Sequence, residues 1–539
     1  MIKDAKVAEL ESEIARLKTE NAELKTLNKW YEEQFKLAQH RRFGPSSEKT
    51  EHLGQLSFFD EPETTVNLNM PEPTIEEVTR KRKKKQKGKR EELYKDLPTG
   101  KIVHELPKSE QICPVCGGKL HACGHDVLRR ELEIIPAQVR AVEHVQTVYS
   151  CRDCEQKTMS PTDEPDNQSE SGIPSVPMVK ATVPAPVIPG SGIVSASLLA
   201  YIICNKYVLA LPLHRQEQEF ARHGINISRQ TMANWIIKAA NKWFVLIYTL
   251  LQLALKQKDI LHSDDTTLQV IKENGRKSSQ KSHMWIYRTA YFDPESIVLF
   301  EYQQTQAAEH PLRFLAGYKG YLHTNGLQGY KQLQAQGVTL VECWFHARRK
   351  FHDALKVLDK ADRSDAAANI GYEYCNRLSE LEKQYDVEGI SPKERFARRL
   401  VESKPIAEEF FVWAENEHKK LVQSKSFFAI AIIYAVNQKE WLMNIYLNGR
   451  LAISNNLAER SIRPFTVGRN NWLFSYSAKG AGASAVAYSI VETAKANGLV
   501  PYLYIKYLLE KLPNLPSDRY DECLPWADKV KQQCSIKNE

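Results

Sequence analysis

Three groups of residues in this chain have the types and spacing to do chemistry. The first is an adjacent pair, Asp264 and Asp265, inside "LHSDDTTLQV", a stretch that otherwise reads as a buried strand. Charge is expensive in such a place unless something uses it. Carboxylates are the hard oxygen ligands that magnesium takes, and ions held that way drive phosphodiester chemistry. Side chains alternate along a strand, so only one of the two can face a site, and periodicity does not choose between them. The second group is "ISNNLAERSIRP", where Asn455, Glu459 and Arg463 recur every fourth residue and share one helix face. Pro464 is expected to end that helix. Taken alone, Glu459 between Arg460 and Arg463 reads more readily as a surface ion pair than as a ligand. The third group is "CPVC" at 113–116 and "CRDC" at 151–154. Each CxxC turn supplies two thiolates from one bend, and two turns close a tetrahedral zinc site of Cys113, Cys116, Cys151 and Cys154. Cys123, His121 and His125 lie between them as substitute ligands. A closed four-thiolate site leaves no position for a substrate, so its zinc is structural.

The elements that must position these groups follow from pattern. From residue 259, "DILHSDDTTLQVI", "HMWIYRTAY" and "SIVLFEY" read as three strands. "TQAAEHPLRFLAG" reads as a helix, "GYLHTNG" as a short strand, "GYKQLQAQG" as a helix and "VTLVECWFH" as a fifth strand. The order βββαβαβ is that of a ribonuclease-H-like fold, which sets acids on the first strand, at the end of the fourth and on a later helix. Upstream, "LPLHRQEQEFARHGINISRQTMANW" reads helix, turn, helix. Gly224 ends the first helix and Ser228 caps the second, whose apolar face is Met232, Trp235, Ile236 and Ala239. Arg229, Gln230 and Asn234 project near its exposed start, a geometry that can enter a major groove; an ordinary helical pair has the same pattern. Arg348 and Arg349 in "CWFHARRKF", with Arg460, Arg463, Arg469 and Lys479, are candidate phosphate contacts. His346 could orient a water or a phosphate, or simply fill a strand end.

At the N-terminus a heptad pattern places Val7, Ile14, Asn21 and Asn28 at a and Leu10, Leu17, Leu24 and Tyr31 at d. Asn at a favours a register-locked two-stranded coil, and Glu13 opposite Lys18 and Glu20 opposite Lys25 suit a parallel homodimer. The net charge of +8 is local, because "RKRKKKQKGKR" at 80–90 holds nine basic residues and no acid. Such a run points to a polyanion. No apolar run reaches membrane-spanning length, and the first residues lack the apolar core of a signal peptide. Ten cysteines, only four of them in CxxC pairs, do not make a disulfide framework. Cytosolic residence, with no membrane partner, is the expectation.

The expected architecture is multidomain α/β. It comprises a coiled-coil segment (1–50), a disordered linker with the basic run (51–104), a zinc ribbon (105–160) and a Pro-rich linker (161–192). A helix-turn-helix region (193–256), the first part of the core (257–350), a helical insertion (351–450), the second part of the core with the last acid (451–500) and a helical tail (501–539) follow.

Across nearly the whole chain these motifs resemble the IS-sixty-six transposases of bacteria, in their large DDE component. The resemblance is carried by "RRFGPSSEK", "CPVCGGKL" to "CRDC", "LHSDDT", "CWFHARRKF", "NNLAERSIRPF", "GRNNWLF" and "NGLVPYLYIKYLLEKL". It implies catalytic positions at Asp264, Asn325 and Glu459, with two magnesium or manganese ions. It also implies cleavage of transposon ends by water, joining of the 3′ hydroxyl to target DNA, a nucleoid-associated location, and accessory proteins of the element as possible partners. The family pattern has aspartate where "HTNGLQGY" has Asn325, and lysine where "GRNNWLF" has Asn470. An amide offers a neutral oxygen and cannot bridge two cations. The resemblance therefore carries two readings, an impaired transposase and a DNA-binding protein or repressor derived from one; an unrelated nuclease of the same fold is a third.

Overall fold

The computed structural model describes residues 13–14, 16–21, 24–25, 27–28, 30–37, 139–150, 178–180, 183–191, 193–421 and 426–536. The chain forms two compact units, one of residues 48–181 and one of residues 1–47 with 182–539. In the smaller unit β1 (Val148–Ser150) pairs antiparallel with β2 (Met178–Lys180). The four CxxC cysteines, the basic run and most of the Pro-rich segment lie outside the described residues.

In the larger unit, described positions within 13–37 are helical. The expected seam residues Ile14, Leu17, Leu24 and Tyr31 are exposed there, while Leu37 is buried. Next come α1 (Ala196–Tyr207), α2 (Leu213–Arg222) and α3 (Arg229–Ala239). Gly224 takes a φ of +74° in the turn before α3, and the Ser228 hydroxyl accepts from the Thr231 N–H. The buried face of α3 is Met232, Trp235, Ile236 and Ala239. A π turn at Ala240–Phe244 joins α3 to α4 (Val245–Leu255). Together these make a helix of 27 residues, Arg229–Leu255, long and apolar enough by composition to cross a membrane. Its apolar side, including Phe244, Ile247, Leu251 and Leu255, is buried in the core of this unit.

The sheet is mixed, in the order β5-β4-β3-β6-β7. Its long strand β3 (Ile260–Lys272) is antiparallel to β4 (Lys281–Thr289), which is antiparallel to β5 (Val298–Gln303). On the other side β3 runs parallel to β6 (Tyr321–Thr324), and β6 parallel to β7 (Thr339–Glu342). The element order is the βββαβαβ expected, with two local differences. Between β6 and β7 the chain forms a 3₁₀ helix, Gln328–Gln336, closed by Gly337 at φ +87°. Its buried residues, Tyr330 and Leu333, are three apart, which is the 3₁₀ repeat. The fifth strand is also shorter than its apolar run, because Trp344 already starts a helix. The helix between β5 and β6 is the short α5 (Glu309–Phe314).

From α6 (Trp344–Lys356) the chain is helical almost throughout: α7 (Ala367–Glu388), α8 (Pro392–Arg398), α9 (Lys404–Lys420), α10 (Phe427–Asn437) and α11 (Lys439–Met443). All but α8 contribute to a core around Trp344, Phe351, Phe410 and Phe411. Arg399, fully buried, grips Glu382 through two bonds of 2.6 Å and donates to the carbonyls of Ile445, Asn448 and Leu451. The chain then returns to the sheet with α12 (Asn456–Trp472), β8 (Ser475–Ser477), which pairs with the far end of β3, and α13 (Ala478–Ala496). Helix α13 covers the edge strand: Ser489 and Thr493 hydroxyls accept the N–H groups of Phe300 and Val298 at 2.7 and 3.0 Å. That removes an open edge from the sheet. Helices α14 (Pro501–Lys511) and α15 (Asp528–Cys534) close the unit.

Among the described residues, Glu342 is the least exposed of the buried acids outside every candidate group. Glu342, at the end of β7, accepts from the Thr324 hydroxyl at 2.5 Å, and its second oxygen has no partner. Burial pushes its carboxyl up to about 7 from an ordinary 4.5. The folded state therefore holds the proton more tightly than the unfolded chain. The associated stability is complete below about pH 4.5 and is lost as pH rises through about 7, in total on the order of 3 kcal/mol. Glu342→Gln keeps an acceptor for Thr324. Thermal melts of variant and parent should agree near the acid end and separate in the variant's favour above neutrality.

Candidate active site

The two adjacent aspartates take opposite faces, as a strand requires. Asp265 is turned to one side, where its carboxylate meets His283 Nδ1 at 2.7 Å and Gln306 Nε2 at 3.0 Å. Asp264 faces the other side and is 8% exposed. Its Oδ1 accepts from the Asp265 N–H and from Asn325 Nδ2, both at 2.8 Å. Asn325 follows the last residue of β6, so the parallel β3–β6 pairing carries it alongside Asp264.

Burial pushes the Asp264 carboxyl up to about 7, and the negative charges of Glu459 and Asp265 push the same way against its two hydrogen bonds. Glu459 is thus close enough for its charge to act on Asp264. Glu459 lies on the first turn of α12, between His346 Nε2 and Arg349 Nη2, each at 3.5 Å. Burial holds His346 neutral, with its imidazole pushed down to about 4. Glu459 Oε1 is buried and accepts no hydrogen bond.

What seats α12 is a buried polar knot around Asn455, whose partnership with His262, Cys343 and Ser263 no spacing in the sequence announces. Asn455, fully buried, donates from Nδ2 to the Ser263 carbonyl at 2.8 Å. Its Oδ1 must then accept, so His262 Nδ1 carries the proton of their 3.0 Å contact. The Asn455 N–H points to Cys343 Sγ at 3.2 Å. His262 stacks on His323 with centroids 4.3 Å apart, and burial holds both rings neutral. The Ala452 N–H donates to His323 Nε2 and the Trp344 N–H to the Ile453 carbonyl, fastening the same loop. Spacing gives only that His262, two residues from Asp264, shares its face.

Further ties run down α12. Buried Arg288 donates to the Ser461 hydroxyl at 2.5 Å, and Arg469 donates to the Thr266 hydroxyl at 3.0 Å and to the Thr267 carbonyl. Helix α12 does not end at Pro464 but continues to Trp472. An interior proline forfeits a backbone bond and about 3 kcal/mol; burial of Ala458, Ile462, Phe465 and Gly468 carries the helix past it.

The candidate phosphate contacts divide. Arg229, Gln230 and Asn234 are exposed at the start of α3, with Gln230 Nε2 on Asn234 Oδ1 at 3.2 Å. Arg349, Arg460 and Lys479 are also exposed, and Arg463 is half-buried. Arg348 departs from the expectation, because it is engaged by Asn376 and the Tyr372 hydroxyl, both at 2.7 Å, with its guanidinium over the Tyr372 ring. Arg469 departs too, since it braces β3.

Two carboxylates, Asp264 and Glu459, lie near enough for their charges to interact, and Asn325 turns Nδ2 to Asp264 while its Oδ1 accepts from the Leu327 N–H. Among the described residues no cluster of three His, Cys, Asp or Glu has metal-site geometry. The set of two carboxylates offers the hard oxygens that a single divalent cation takes, and Glu459 Oε1 is buried without a hydrogen bond. It lacks the third carboxylate that a bridged pair would use.

Removing Asn455 should loosen this arrangement. Asn455→Ala leaves the Ser263 carbonyl and His262 Nδ1 buried without partners, so chemical denaturation should show a loss of about 2–4 kcal/mol.

Comparison with known proteins places these observations. The family profile described as "Transposase IS66 family" matches residues 191–483, and "IS66 C-terminal element" matches 489–526. "Zinc-finger binding domain of transposase IS66" matches 110–155, which encloses both CxxC pairs. "Transposase C of IS166 homeodomain" matches 30–102, which includes the basic run and not the α2–α3 pair. Three relatives from Sinorhizobium fredii are similar over much of the chain, all named as uncharacterized proteins. Protein y4hP is 28% identical over 80% of this chain and 75% of its own, and y4jD is 27% identical over 82% and 83%. Protein y4qI is 31% identical over 65% of each.

Proposed function

The chain belongs to the IS66 transposase family, and from that premise we propose that it is a DDE-type DNA transposase of a bacterial insertion sequence. In this reading it binds the terminal inverted repeats, cleaves with water and joins the freed 3′ hydroxyl to target DNA. Both steps are in-line displacements at phosphorus and need no covalent enzyme intermediate. The observation that carries the reading is the meeting of Asp264, Asn325 and Glu459, from β3, the end of β6 and α12, around one buried carboxylate. The sheet order, with an antiparallel β-meander beside parallel β6 and β7, supports a ribonuclease-H-like core interrupted by a helical insertion.

A divalent cation held by Asp264 and Glu459, with the Asn325 amide turned over to present Oδ1, would supply Lewis-acid activation of the attacking and leaving oxygens. The chain's own residues do the rest. The Asn455 knot fixes Glu459 over Asp264, His346 and Arg349 orient the Glu459 carboxylate, and the ties along α12 keep it from moving away from β3. Magnesium or manganese is the ion the oxygen donors suit, and the two-ion form requires the aspartate that Asn325 replaces.

DNA would be gripped by the exposed face of α3 with Arg229, Gln230 and Asn234, by Arg349, Arg460, Arg463 and Lys479 around the site, and by the basic run at 80–90. The exposed Ile14, Leu17, Leu24 and Tyr31 support a coiled coil joining two copies, so that two ends are held together. The domain limits set out from the sequence, action at the nucleoid and dependence on accessory proteins belong to the same proposal.

Asn325 specifically favours a second reading, a DNA-binding protein or repressor that has lost catalysis. One experiment separates the two. On DNA carrying the sequences that flank its gene, Asn325→Asp should raise magnesium-dependent cleavage and strand transfer, by on the order of 10³-fold. Glu459→Gln in that background should abolish the gain. An Asn325→Asp chain that binds the ends but cuts no better than the parent supports the repressor.

The zinc proposal has its own check. Elemental analysis should find about one zinc per chain. Cys113→Ser should lose it, and chelation should remove it from the parent with loss of end binding.

A further inference from the structure

Asn325 is followed by Gly326, and we propose that this dipeptide is a self-modifying site: deamidation of Asn325 supplies the aspartate that completes the carboxylate set. The inference rests on the reading of Asn325 as the second acid position.

Four features of the site carry it. Gly326 has a φ of +83°, and a Cβ placed on it would meet the Tyr434 hydroxyl at 2.9 Å, so the position demands glycine. Glycine has no side chain of its own to shield its nitrogen from the neighbouring Asn325 Cγ. Its N–H donates to no acceptor among the described residues. The Leu327 N–H donates to Asn325 Oδ1 at 3.3 Å, a turn that folds Cγ back over the Gly326 peptide. That donor also points at the oxygen where negative charge would develop. Asn325 is half-buried, so water can reach it. Nucleophile and electrophile belong to neighbouring residues, and such proximity replaces an encounter in solution.

The step balances without a cofactor. The Gly326 nitrogen bonds to Asn325 Cγ and gives its proton to water. The Cγ–Nδ2 bond breaks, and ammonia leaves and is protonated to ammonium. Water then adds to Cγ of the cyclic imide, the Cγ–N bond breaks, and the peptide N–H is restored beside a side-chain carboxylate. The net change is amide plus water to carboxylate plus ammonium. Water adding instead at the backbone carbonyl leaves isoaspartate, whose lengthened backbone displaces the carboxylate from Asp264.

The chain carries its own controls. Asn274-Gly275 lies exposed between β3 and β4. Asn325 and Asn497 both donate from Nδ2, to Asp264 and to the Ser296 and Thr493 carbonyls, but at Asn497 the nucleophile too is held, because the Gly498 N–H donates to the Lys495 carbonyl. Freshly purified full-length chain would be aged in mildly alkaline buffer, followed by peptide mass spectrometry and assayed with magnesium on the flanking DNA. Residue 325 should convert on the timescale of Asn274 while Asn497 persists. Cleavage should rise in proportion to the converted fraction, towards the level of an Asn325→Asp chain. Asn325→Gln, whose extra methylene disfavours the ring, should show no rise. Residue 325 remaining an amide after Asn274 has converted overturns the inference, as does conversion to isoaspartate alone with no gain in cleavage. Conversion to aspartate alongside an inert Asn325→Asp chain would instead sink the catalytic reading and leave the modification standing.

Discussion

Two like charges must be held near one another although each raises the energy of the other, and the candidate site depends on how that repulsion is contained. Asp264 is fixed by its strand. Glu459 arrives on a helix that follows the whole run of helices α6–α11, and nothing local to that helix would bring it to β3. The Asn455 knot does so, by using the backbone of Ser263 and the ring of His262 as fixed anchors one turn before Glu459. A buried amide is suited to the task because it both donates and accepts, so each anchor is satisfied without adding charge. Arg288 and Arg469 then extend the fastening along the helix.

Containment has an energetic signature. The buried Asp264 carboxyl sits near neutrality in its proton affinity, and the amide of Asn325 is one of the groups that lowers it. A carboxylate in place of that amide would add a third negative charge and no donor. Without a cation such a trio would strain the fold; with one it would be the stronger ligand. Asn325 therefore trades affinity for a cation against stability of the metal-free protein, a frequent exchange where functional charges are crowded.

Much of this was legible in the residues. Alternation separated Asp264 from Asp265, four-residue spacing put Asn455 and Glu459 on one face, and Gly224 and Ser228 marked the ends of α2 and α3. Other features were not, for identifiable reasons. Pro464 misled because the rule for interior prolines weighs a lost backbone bond and cannot see the buried face that outweighs it. The apolar run 338–346 hid a boundary, since a buried strand end and a buried helix start look alike in hydropathy. The protein partners of Arg348 and Arg469 were not legible, because tertiary structure sets where a guanidinium goes. The His262–His323 stack joins strands far apart in sequence, and no local pattern announces it.

The buried Arg399 has a consequence for how this protein could be altered. Its donors end on the carbonyls of Ile445, Asn448 and Leu451, just before the loop that seats α12. The helical segment after β7 is thus no detachable cassette. Excising it for a short connector would strip the clamp from that loop, and grafting it between relatives would demand that the acceptor present those three carbonyls in the same places.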